Sequence, residues 1–335
     1  MARDTIKFRL IKSLTDQICY GESKKADQDK TNEVRRELKE LGVSYRERLE
    51  YNCSQEKVYS INTVKTYKRE VARFGNWLIQ KGLKKISLEE SARYVQPYLN
   101  SLTERGLTPQ SVNTTASALA KALHGHSFYY EKERRSSANV KKSRTMKTPG
   151  KENPAWELNR IIALRRSDLK RVRVSNIYMR NNRMEIEIDK CKGGKTNIQV
   201  IYSKDQQEKI LDYIKERGLA GDDLLFTRDM FSKNVDFQAT RRLAAQNCYK
   251  DVVRAMREDP AMREYYQNDI KRIFREANKP LKENLDSPIY LRGAKREQAL
   301  ANGTDVMFDR TAAMVVSLYL LSHFRTNVTI DNYLT

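Results

Sequence analysis

Apolar residues recur every three or four positions along three stretches of the first half of the chain. Ile61, Val64, Tyr67, Val71, Phe74 and Leu78 fall on one face of a helix that Gly82 ends. Ser87, with Glu90 three residues on, predicts a capping box that opens a second helix. Its apolar positions are Ala92, Val95, Leu99 and Leu102, and Gly106 closes it. Thr108-Pro109 places an N-cap threonine before a first-turn proline, and Val112, Ala116, Leu119 and Leu123 stripe the helix that follows. These stripes predict a helical bundle over residues 56–130. Residues 1–55 are polar, with scattered apolar positions (Phe8, Leu10, Ile11, Leu14, Ile18), and predict one or two small helices of unassigned role.

The period breaks over residues 131–154, where Glu131 to Ser137 and Lys141 to Arg144 precede Pro149-Gly150. This stretch reads as a basic interdomain linker, either a solvated tether or a segment that tracks phosphates. A second domain, 155–335, then begins with a helix around Leu158, Ile161, Ile162 and Leu164. Three β-rich runs follow, Ile177 to Met179, Met184 to Ile188 and Ile198 to Tyr202. Asn181-Asn182 and Gly193-Gly194 between them are turn signals, so the runs predict a three-stranded antiparallel sheet. Helices are expected at 205–217, 237–257, 262–276 and 309–322. The predicted class is mostly α with one small antiparallel sheet (α+β).

Composition sharpens this outline. A chain of 335 residues is long enough for two or three domains. Its 64 Lys and Arg against 43 Asp and Glu leave a net charge of +21 spread along most of the chain. Such a balance points to a polyanionic partner, because neutralised phosphates release condensed counterions. Cys19, Cys53, Cys191 and Cys248 are far apart, which argues against a zinc site or disulfide framework and fits a reducing cytoplasm. No apolar run approaches a membrane span, no leader h-region opens the sequence, and no Gly-rich nucleotide loop is present.

Four stretches in the second half resemble boxes of the tyrosine recombinase (phage integrase) family. They are Ala163 to Leu169, Lys192-Gly193-Gly194-Lys195, Leu291-Arg292-Gly293, and Leu320-Leu321-Ser322-His323 with Tyr333. The family patterns are G-L-R-x-S-E-L, a lysine on a β-hairpin, H-x-L-R-H, L-L-G-H and a tyrosine. Each box alone is a weak signal; their order and setting make the set specific. The resemblance covers residues 60–335 and implies a helical core-binding domain before a catalytic domain. It implies Arg165, Lys192, Arg292, His323 and Tyr333 as catalytic residues, with no metal and no cofactor. Asp168, one turn after Arg165, would orient it, and Lys195 is the alternative to Lys192.

That set is chemically coherent. Attack on a phosphodiester builds charge on two non-bridging oxygens, which two guanidiniums can clamp without changing protonation. A lysine can protonate the leaving 5′-oxygen, His323 can bond the scissile phosphate, and a tyrosyl phosphate ester conserves bond energy for rejoining. Three departures mark this chain. Ile289 and Gly293 stand where H-x-L-R-H has histidines, so the acid–base duty is absent or falls to Tyr290, Lys295 or another residue. The spacings from Arg292 to His323 and from His323 to Tyr333 exceed the common pattern, and only two residues follow Tyr333, so protomers are expected to interlock through another element. The runs Leu291 to Gly303 and Leu321 to Leu334 resemble a subgroup of integrases carried by proteobacterial mobile elements.

The implied partner is duplex DNA at a core recombination site. It would be bound by a homotetramer spanning two sites, with a place for DNA-bending accessory proteins, in a bacterial cytoplasm at the nucleoid. Asn113, Thr114 and Lys121 in the helix from Thr108 are the expected contacts in the first domain, with Arg134, Arg135, Lys141, Lys142 and Arg144 in the linker. Type IB topoisomerases and telomere resolvases share the same catalytic logic and stand as alternatives. So does a catalytically inert DNA-binding relative, which the lost histidine favours.

Overall fold

Ile6, Leu10 and Leu14 line one face of α1 (Ile6–Asp16) and are fully buried. They share a core with Val71, Phe74 and Leu78 of α4 (Ile61–Gln80) and with Ala116 and Leu119 of α7 (Pro109–Ala122). The first helix is thus part of the bundle, and the boundary expected near residue 56 cuts through a continuous core. Gly75 permits the closest approach, since a Cβ there would lie 2.7 Å from Cα and Cβ of Lys7. Between α1 and α4, α2 (Lys24–Glu40) and α3 (Tyr45–Glu50) form a polar pair. Arg35 of α2 closes the end of α3 through carbonyls of Arg48 and Leu49, each at 2.9 Å.

The single helix expected from Ser87 to Gly106 is two, α5 (Leu88–Ala92) and α6 (Val95–Glu104). The Ser87–Glu90 capping box is present. Pro97 explains the break: it has no N–H to donate and its ring clashes with the carbonyl four residues back, so it fits only the first turn of a new helix.

The computed structural model describes residues 5–54, 56–124, 126, 130, 149, 152–180, 182–191, 196–232 and 235–335. It divides into two units, Met1–Val140 and Lys141–Thr335, with the division inside the basic run. In the second unit α8 (Pro154–Ile162) and α9 (Arg166–Leu169) precede a sheet of β1 (Ile177–Arg180), β2 (Arg183–Ile188) and β3 (Asn197–Ile201). The strands are antiparallel in the order β1-β2-β3, with Met179 opposite Met184 and Glu185 opposite Val200. Asn182 turns the first hairpin at φ 60°. Met184, Ile186 and Ile188 join Trp156, Leu158 and Ile162 of α8 in one core.

Next come α10 (Lys204–Glu216), α11 (Phe237–Glu258) and α12 (Ala261–Glu276). A second sheet follows, absent from the sequence reading: β4 (Ile289–Tyr290) pairs antiparallel with β5 (Met307–Phe308) around α13 (Ala294–Ala301). Two-residue strands are too short to leave an alternating pattern. The chain continues through α14 (Arg310–Tyr319) and α15 (Thr326–Thr329), which runs into a π-helical turn at Ile330–Leu334. Among the described residues no helix is long and apolar enough to cross a membrane.

Candidate functional site

Arg165 stands at the N-cap of α9, just after a turn built by a buried asparagine. α8 ends at Ala163 in a left-handed conformation, φ 57°. Asn159, fully buried, accepts from the Leu164 N–H at 2.9 Å and donates to the Leu164 carbonyl at 3.2 Å and to Thr240 Oγ1 at 2.8 Å. One side chain therefore fixes the Arg165 turn onto α11, beside residue 241. Arg166 points elsewhere, donating to the carbonyls of Phe231 and Ser232. Asp168 is buried, with Oδ1 bonded by Arg171 at 3.2 Å and Oδ2 at 3.9 Å from Arg165 Nη1. Arg171 also donates to the Asp189 carbonyl at 3.0 Å, tying Asp168 to the end of β2.

Arg241 is the residue that sequence reasoning missed. Only 1% exposed, it donates from Nη2 to the Leu321 carbonyl at 3.2 Å. Its guanidinium lies 5.5 Å from the centre of the Tyr333 ring. Nε has no hydrogen-bond partner among the described residues. Burial pushes this guanidinium from its usual range down to about 10, with Tyr333 opposing the shift and Arg165 adding to it. It remains charged at neutral pH, under-partnered and beside a second arginine. A buried cation in that state is costly unless an anion completes it.

Tyr333 sits in the π-helical turn, buried, and its hydroxyl accepts from Gln238 Nε2 at 3.3 Å. The His323 ring centre is 6.3 Å from the Tyr333 ring centre. Ser322 before it is left-handed at φ 53°, and the His323 N–H donates to the Ser317 carbonyl at 2.7 Å. α9, the start of α11, the Leu320 to His323 turn and the last turn of the chain thus bring Arg165, Asp168, Gln238, Arg241, His323 and Tyr333 together. Gln238 to Arg242 repeats the spacing of H-x-L-R-H, with glutamine first and arginine fourth. That spacing is the signal that could have found Arg241; a lone asparagine on the apolar face of α8 is the signal for Asn159.

Other expected residues stand apart. Arg292 is exposed two residues after β4, and its side chain has no hydrogen bond or ion pair among the described residues. Tyr290 is 58% exposed. Lys295 of α13 pairs with Asp331 at 2.6 Å. Asn113 is a correction: 2% exposed, it faces the bundle core and presents nothing to a duplex. Thr114 donates to the Gln110 carbonyl at 2.8 Å within its own helix. Lys121 is half-buried and donates to the Ser54 carbonyl at 2.9 Å, and burial, with Lys24 adding to it, pushes its amine down to about 8. Lys192, Lys195, Arg134, Arg135, Lys141, Lys142 and Arg144 lie outside the described residues, the two hairpin lysines between β2 and β3.

Residues 47–125 match the family model of the phage integrase N-terminal SAM-like domain. No curated protein matches the chain. Among solved structures it is similar to the XerH site-specific recombinase bound to palindromic difH substrate in a post-cleavage complex, at 16% identity over 75% of this chain and 86% of that one, TM-score 0.38. XerH bound to difH before cleavage is similar at 13% identity over 98% and 91%, TM-score 0.38. XerA recombinase is similar at 16% over 65% and 84%, TM-score 0.21. These superpositions are loose, and the matched domain covers residues 47–125 alone. Residues 47–125 are thus similar to the N-terminal SAM-like domain of phage integrases.

Proposed function

We propose that the protein is a site-specific recombinase of a bacterial mobile element that cuts and rejoins duplex DNA through a 3′-phosphotyrosyl intermediate. The observation that carries this reading is the buried, under-partnered Arg241 guanidinium, which shares a site with Arg165 and lies against the Tyr333 ring. Two guanidiniums in one site complement the charge that develops on a phosphoryl group. Tyr333 Oη loses its proton to water and attacks phosphorus, the bond to the 5′-oxygen breaks, and the 5′-oxygen leaves as a hydroxyl with a proton from Lys192 or Lys195. His323 bonds a non-bridging oxygen. The phosphotyrosyl ester keeps the bond energy, so a 5′-hydroxyl from the second duplex reverses the step without ATP. In this reading Arg241 takes the role expected of Arg292, and Gln238 stands where the missing histidine would be. A tetramer on two core sites, helped by DNA-bending proteins, completes strand exchange.

The test uses nicked suicide duplexes tiled across the DNA flanking the coding sequence. A covalent adduct on a denaturing gel is expected from the wild type and none from Tyr333→Phe. An adduct that persists in Tyr333→Phe removes the nucleophile, and no adduct from the wild type leaves only DNA binding. Relaxation of a plasmid that lacks the site would mark a topoisomerase instead.

A further inference from the structure

The turn that carries Tyr333 is held by the stretch between α12 and α14, alongside α14 itself, whose Ser317 bonds Thr329 at 2.6 Å. At its start, Glu283 accepts from the Thr326 N–H at 3.1 Å and from Thr326 Oγ1 at 2.6 Å. Glu283 is itself fixed by Arg310 at 3.0 Å, and Arg310 Nε donates to the Ser287 carbonyl at 3.0 Å. Further along, Lys295 of α13 meets Asp331 at 2.6 Å, two residues before the tyrosine. Ile330 and Leu334 pack with Leu291, Ala299 and Phe308 in a small core of their own. Tyr333 belongs to a different core and meets α11 through Gln238 and Arg241.

We propose that residues 278–309 are a positioning element for the Tyr333 nucleophile, acting through Glu283 and Lys295; this rests on the reading of Tyr333 above. The element fixes both ends of the tyrosine turn, so that the phenol meets the arginine site in one register. Lys295 is then a positioning residue whose amine is committed to Asp331, not an acid or base. The Lys295–Asp331 pair is partly exposed, with side-chain exposures of 39% and 19%. Pairs of that kind contribute little to global stability. A nucleophile displaced by about 1 Å, in contrast, loses on the order of a hundredfold in rate. Loss of the pair therefore reads out in cleavage, not in folding.

The experiment combines single-turnover cleavage of the flanking-DNA suicide duplexes with amide hydrogen exchange over residues 326–335, in wild type, Lys295→Ala, Glu283→Gln and the reversed pair Lys295→Asp/Asp331→Lys. Expected are loss of amide protection in the single variants and at least a tenfold slower cleavage at saturating DNA. DNA affinity and melting temperature should stay near wild type, and the reversed pair should recover most of the rate. Unchanged protection, or lost protection with wild-type cleavage, overturns the proposal. Absence of any adduct from the wild type is a separate result: it overturns the function proposed above and the positioning role with it.

Discussion

Ala163 and Ser322 stand where the two family patterns have glycine, and both adopt the left-handed backbone that favours glycine. Such positions cost an ordinary residue about 1–2 kcal/mol, so these two boxes are legible as backbone geometry even after the glycine is gone. The second arginine was not legible in the same way. Leu291-Arg292 preserves the letters of its box, but it follows a two-residue strand and its arginine lies in solvent, whereas Arg241 has no leucine before it and lies inside α11. What identifies Arg241 is burial beside Arg165 and Tyr333, which only the fold supplies. Two outcomes follow from an under-partnered buried charge. Arg241→Met should lower cleavage by roughly 10²–10³, the loss expected for one preorganised contact to a transition state. The same change should raise the melting temperature, because apolar replacements of buried charges are commonly neutral or stabilising by about 1–4 kcal/mol. Arg292→Ala should leave both unchanged. A melting temperature that falls in Arg241→Met, or cleavage lost in Arg292→Ala, would reverse the assignment.

Three helices of the second half stand where they are expected: 205–217, 237–257 and 262–276 appear as α10, α11 and α12 with ends shifted by no more than a residue. The polar faces carry what period cannot show. Arg183 of β2 pairs bidentately with Asp269 of α12 at 2.7 and 3.1 Å, and the Tyr319 hydroxyl of α14 donates to the same carboxylate at 2.5 Å. Burial alone would raise Asp269, but the bonds from Arg183, Tyr319 and Arg272 hold it down at about 2. A carboxyl held below its unfolded value adds stability above pH 4, lost as pH falls from about 4 towards 2. Asp269→Asn should therefore cost roughly 3–5 kcal/mol at neutral pH, since it leaves Arg183 buried without its counter-charge. It should also flatten the acid limb of a pH–stability curve measured by denaturant unfolding. Gly75 makes the corresponding case in the bundle. Alanine there gains about 1 kcal/mol of helix propensity, yet its Cβ would sit 2.7 Å from the Lys7 backbone. Gly75→Ala should be net destabilising and should expose α1 to proteolysis; a stabilised variant would show that α1 yields at no cost.

At the scale of the whole molecule the charge was the plainest statement in the sequence, and its distribution the least plain. The excess of +21 runs along most of the chain, but some of its carriers are committed inside the protein. Arg183 and Arg241 are buried, Lys121 is half-buried against Ser54, and Arg35 closes a helix end. A count of basic residues therefore overstates the phosphate footprint, and affinity belongs to the exposed remainder. Each neutralised phosphate contributes about −0.9 to the slope of log affinity against log salt. With six or more contacts, affinity for a mixed-sequence duplex should fall by roughly a thousandfold between 50 and 200 mM salt. Arg241→Met should change that slope by no more than about one contact while it lowers cleavage by roughly 10²–10³, because a single buried guanidinium meets a single phosphate. Equilibrium binding by fluorescence anisotropy across that salt range separates the two roles. A slope that collapses in Arg241→Met would make this residue a general DNA contact, and a flat wild-type response would remove the phosphate footprint itself.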